Sequence, residues 1–150
     1  MSRWYPQSMT NAAPASATTR LGSDTISGLK EFDWFETTGY FAGASGGTLD
    51  IYLQREIVGG AWEDWAHFPQ LADGAAARVY WIPPYGCNNA ATVTIGTGTA
   101  TSATVAMAAG VALGGHPGDK VRMVFVTGAG TTAAAVSQTV RIVGHKGGGG

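Results

Sequence analysis

Charge is scarce in this chain. Asp, Glu, Lys and Arg make up 13% of its 150 residues, about half the share of an ordinary soluble domain. Much of the surface must therefore be Thr, Ser, Gly, Ala and backbone, which suits close packing against other subunits because little charge is desolvated on contact. Neither sign dominates: nine Lys and Arg stand against ten Asp and Glu, and the pI is about 6.2. Grip on a phosphate backbone rests on a positive patch, so the composition argues against nucleic acid as a partner. Cysteine is nearly absent. The single Cys87 cannot close an internal disulfide and excludes a Cys-rich zinc site; a small buried hydrophobe is its usual fate, a reactive thiol the alternative. Long apolar runs are missing as well. No stretch approaches the roughly 18 apolar residues of a membrane-spanning helix, and "VAMAAGVALGG" (105–115) is short and broken by glycine. The opening "MSRWYPQSMTNAAPASATTR" has no continuous apolar segment of the kind a secretory signal carries. The expectation is a soluble protein made in a cytoplasm, with no membrane partner. Helical periodicity is the last absence: it is weak even at 103–111, where Gly and β-branched residues argue against a helix.

What is present is strand pattern punctuated by glycine, and the length fits one domain with a core of its own. Residues 1–20 mix Pro, Ser, Ala, Thr and Asn without a period and read as an extended or flexible N-terminal arm. Trp4 and Tyr5, costly to leave bare in water, are candidate anchors on that arm. Residues 21–146 then read as a single β-sandwich domain, with strand signals from Ile26. In "LKEFDWFETTGYF" the alternation puts Phe32 and Trp34 on one face and Phe35 on the other. In "TLDIYLQ" Leu49, Ile51 and Leu53 should face the core and Asp50, Tyr52 and Gln54 the outside. Gly59-Gly60 marks a hairpin, and "AWEDWAHF" pairs back, with Trp62 and Asp64 on one face and Glu63 and Trp65 on the other. Both tryptophans cannot be core. "RVYWIPPY" is a further strand, ended by Pro83-Pro84. Residues 86–115 hold no charged side chain. There Val93 and Ile95, then Val105 and Met107, alternate with small residues, as in an inserted hairpin or flap packed against something; a low-complexity loop is the alternative. Val121, Met123 and Phe125 alternate with Arg122, Val124 and Val126, and "AVSQTVRIVGH" returns the chain before a glycine tail at 147–150. Short strands, Gly-rich turns and no helices define an all-β class: an antiparallel β-sandwich or jelly-roll-like domain.

Candidate chemistry is thin. A nucleophile needs a base and an orienting group, and the three histidines, His67, His116 and His145, fit no metal-ligand spacing; they read as satisfied surface or turn residues. No glycine-rich segment has the strand–loop–helix context of a phosphate site. Glu56, Glu63 and Asp64 share one hairpin, yet Glu63 and Asp64 point to opposite faces and cannot flank one glycosidic bond. The expectation is therefore a protein that is not an enzyme and calls for no cofactor. Tyr52, Trp62, Trp65, Tyr80 and Trp81 could stack sugars on a sandwich face, which keeps a carbohydrate-binding module open; tryptophans on mixed faces more often fill a core or an interface.

"GGTLDIYLQ", the glycine hairpin, "WEDWAHFPQL" and "GDKVRMVFVTGAG" together resemble small β-sandwich virion proteins of tailed bacteriophages. The matching positions are Thr48 to Gln54, Trp62, Asp64, Phe68 and Val121 to Gly128, about half the chain. Two departures stand out: Val58-Gly59-Gly60 replaces the Asp-Gly turn often seen in such hairpins, and 86–115 has no counterpart. The resemblance implies a structural virion protein, foremost a capsid decoration (cement) protein on the outer surface of the head, commonly a homotrimer. Its partners would be the major capsid protein or other virion subunits; a neck, tail or head-completion role is the next expectation. The candidate interface residues on this reading are Trp4, Tyr5, Tyr52, Trp62, Trp65, Val93, Ile95, Val105 and Met107.

Overall fold

The computed structural model describes residues 4–12, 19–41, 46–82, 109–113, 116–128 and 137–147. Nine strands and no α-helix lie among them. One sheet has four strands in the order β1 (Trp4–Ala12), β9 (Ser137–His145), β3 (Trp34–Phe41), β6 (Arg78–Ile82). The other has five, in the order β2 (Thr19–Ser27), β8 (Lys120–Thr127), β4 (Leu49–Glu56), β5 (Trp62–His67), β7 (Val111–Ala112). Every pairing is antiparallel. The expected all-β sandwich is the observed fold.

The core lies between the sheets and follows the period of two. Phe35 and Phe41 of β3 and Val140 and Ile142 of β9 meet Leu49, Ile51, Leu53, Val121, Met123 and Phe125 from the opposite sheet, all buried in one cluster. Leu49, Ile51 and Leu53 therefore face inward, as their spacing requires. Aromatic edges interlock across the layer: Phe41 meets Phe68 edge to face at 4.8 Å between centroids, a preferred aromatic geometry.

Three local expectations need correction. Phe32 does not share a face with Trp34. A single 3-10 turn at Leu29–Glu31 precedes β3, so Phe32 stands outside the strand and its ring packs in the core beside Phe35. That ring lies on the backbone of Gly144, where any Cβ would collide with it. Second, strand structure begins well before Ile26, because β2 starts at Thr19. Third, the N-terminal segment is extended, but residues 4–12 are laid along β9 of their own domain, from Trp4 opposite His145 to Ala12 opposite Ser137. The expected arm of 1–20 is thus in part an edge strand.

The β4–β5 hairpin turns through a 3-10 turn at Val58–Gly60, with Gly60 at φ 78, a conformation glycine adopts without steric cost. One irregularity in this hairpin decides where its aromatics go. Leu53 pairs with Ala66 while Gln54 pairs with Asp64, leaving Trp65 as the extra residue of a β-bulge. Trp65 and Ala66 consequently both enter the core, and alternation resumes with His67 on the outer face opposite Tyr52.

Candidate functional site

Two outer faces remain once the core is filled, and they differ in kind. On the five-stranded sheet, β8, β4 and β5 lie side by side, and their ladder sets outward residues in rows. Arg122, Gln54 and Asp64 form one row; Val124, Tyr52 and His67 form the next. Gln54 Nε2 donates to Asp64 Oδ1 at 2.9 Å, and Gln54 Oε1 accepts from Arg122 Nη2 at 2.8 Å and Nε at 3.1 Å. Above this row the Arg122 guanidinium sits 4.2 Å from the Trp62 ring centroid, a cation–π contact. His67 stacks on Tyr52 at 3.7 Å and its Nε2 lies 2.9 Å from Asp50 Oδ1, while Gln70 Nε2 donates to the other carboxylate oxygen.

This face was expected to be outside, yet Tyr52 is 7% exposed and Gln54 and Val124 are fully buried. Leu113, just after β7, packs against Tyr52 and Val124. Burial, helped by the carboxylates of Asp50 and Asp64, pushes the Tyr52 phenol up to about 12. Desolvation lowers the Arg122 guanidinium from its ordinary value. A Tyr held neutral at working pH does not act as a base. Beside one another, His67 contacts the Tyr52 ring face and Asp50 the Gln70 amide. The row is a register lock, with every long polar side chain bonded to the next strand.

The other expected chemistry resolves the same way. Glu63 pairs with Arg55, and Arg55 Nη1 donates to the His116 carbonyl at 2.9 Å; Asp64 is engaged on the opposite face, so the two acids are separated as expected. His116 accepts the Gly118 N–H at Nδ1, which leaves the proton on Nε2 to be donated to the Phe32 carbonyl at 3.0 Å. It is a turn histidine. His67 and His145, expected at the surface or in turns, are instead buried; His145 stacks on Trp34 at 3.5 Å. Tyr52 and Trp65 are occupied within the fold, Trp65 in the core itself, so of the hairpin aromatics only Trp62 stays half exposed. Trp4 and Tyr5 lie on β1 at the sheet edge. Val93, Ile95, Val105, Met107 and Cys87 lie outside the described residues. The far end of that uncharged insertion returns to the fold as β7 on β5.

The four-stranded sheet has the open face. There Trp81 is 71% exposed, Val79 63% and Tyr40 44%. Thr38 pairs with Trp81 and Tyr40 with Val79, so the three apolar side chains form one block on neighbouring strands. Arg141 and Thr139 of β9 continue the same two rows. Tyr40 was not among the residues singled out from sequence. Its signal was parity: with Phe35 and Phe41 committed to the core, Tyr40 has to point out.

Set against family models, curated proteins and solved structures, the chain matches none. The functional reading therefore rests on these two faces and on the residues of the sequence pattern.

Proposed function

We propose that this chain is a structural virion protein of a tailed bacteriophage, acting as a capsid decoration (cement) protein that binds the assembled head as a homotrimer. What supports the reading is where the residues of the sequence resemblance meet. Gln54, Trp62, Asp64 and Arg122, drawn from three separate segments, form one contiguous network across β5, β4 and β8. Thr48 and Gly128, the outer ends of the pattern, meet through a Gly128 N–H to Thr48 carbonyl bond of 2.9 Å. A Cβ at Gly128 would lie 2.5 Å from Thr48 Oγ1, so a larger residue there has to displace the Thr48 hydroxyl. The arginine reaches this network from a third strand, 68 residues along the chain from Gln54, so the match extends beyond a single hairpin.

The mechanism is physical. A subunit that binds only the assembled lattice stabilises that state by mass action, and symmetry multiplies modest contacts. The low charge of the chain, 13%, keeps the desolvation cost of each contact small. Synthesis in the host cytoplasm and residence on the capsid surface follow from this role. The testing experiment is absolute mass by light scattering after size exclusion. The expected result is three times the 15.4 kDa chain mass. A larger closed ring would transfer the protein to a neck or tail position, and a concentration-independent monomer would sink the homotrimer.

A further inference from the structure

We propose that the open face of the four-stranded sheet is a carbohydrate site, taking an oligosaccharide of about two or three rings on Tyr40 and Trp81. Tyr40 and Trp81 are diagonal neighbours on the paired strands β3 and β6, a relation that sets side chains on one face about 7–8 Å apart, within reach of one bound ligand. Pyranose rings present C–H groups on their faces and hydroxyls around their rims. The faces stack on electron-rich aromatic surfaces, and the rims need donors and acceptors beside them. Both are supplied here. Thr38 and Arg141 lie in the row of Trp81, Thr139 in the row of Tyr40, and Arg141 is exposed. The row two residues along β3 carries the nearest acid, Glu36, opposite Val143.

Area chooses between a glycan and a second copy of the chain. Trp81 at 71% exposure, Val79 at 63% and Tyr40 at 44% offer roughly 300 Å² of apolar surface, given the 150–250 Å² that a whole aromatic side chain can bury. A stable protein interface buries about 800 Å² on each partner. The three side chains by themselves fall short of that, and their area matches a short saccharide. The tryptophan is also far more exposed than solvation favours, and contiguous exposed apolar patches of this size are commonly functional. The site lies on the opposite sheet from the Gln54 network and does not depend on a place in a virion.

The test is binding of the full chain to immobilised neutral hexose, N-acetylhexosamine and uronic-acid oligosaccharides, followed by titration with the best of them in solution. Wild type should bind at least one class saturably. Trp81→Ala and Tyr40→Ala should each weaken that binding tenfold or more with an unchanged melting midpoint, because both side chains are at the surface. Binding of none of the three classes at millimolar concentration would overturn the proposal. So would binding that neither variant alters. A wild-type oligomer that Trp81→Ala dissociates would overturn it too, by assigning the block to a second copy.

Discussion

Gln54 is the residue on which most of the outer network turns. Its amide can take only one orientation: the Asp64 carboxylate must accept, so it faces Nε2, and the Arg122 guanidinium must donate, so it faces Oε1. Gln54→Leu removes all three bonds. We expect a loss of about 1–3 kcal/mol, the range for removing a buried hydrogen-bond partner, read by guanidinium denaturation; a loss under about 0.5 kcal/mol would contradict the network. Tyr52 gives a pH signature. Its phenol titrates near 10 when unfolded and about 12 in the fold, so the unfolded chain releases its proton first. Stability should be flat with respect to this group below pH 10 and fall as pH rises from 10 to 12, by about 1.4 kcal/mol per unit. Tyr52→Phe should remove that fall, and an unchanged slope in the variant would assign it elsewhere. The sequence placed Asp50, Tyr52 and Gln54 correctly on one face, because alternation is local. It did not show that the face is buried, because residues packed against it, Leu113 and Val126, come from far along the chain.

At the scale of elements, the β5 bulge determines which tryptophan holds the fold together. Trp65→Ala should cost about 3–5 kcal/mol, as for other buried large-to-small changes. Trp62→Ala should cost about 0.5–2 kcal/mol, the worth of a cation–π contact at a partly exposed site. Thermal midpoints of the two variants measure the order directly, and a reversed order would mean that the register at Leu53 is wrong. The strands β4 and β8 were legible since their apolar residues alternate cleanly. The bulge was not, because Trp65 and Ala66 are both apolar and either fits a core position. The strands β1 and β2 were hidden by composition: Ser, Thr, Asn and Gly in "QSMTNA" and "TRLGSDTIS" carry little periodic signal, and edge strands need less of it. Phe32 was misassigned for the opposite reason, a regular pattern interrupted by a turn of three residues.

Over the whole molecule, the division of labour between faces is the main result. Among the described residues, the outer face of the five-stranded sheet is bonded across its strands and packed against by Leu113, and the face of the four-stranded sheet presents Tyr40, Val79 and Trp81 to solvent. Aromatic content pointed to the arm at Trp4 and Tyr5 and to the hairpin at 62–65; among the described side chains the most exposed aromatics lie on β3 and β6. That shift was not readable from local pattern, since it depends on which of several aromatic strands lies at a sheet edge. The account of function is tested most directly by sedimenting the purified chain with mature heads of its cognate phage and, in parallel, with free major capsid protein. Saturable binding to heads at a fixed copy number, absent with free subunits and accompanied by a higher disruption temperature of the heads, is the predicted result. No binding to heads, or equal binding to free subunits, would contradict it.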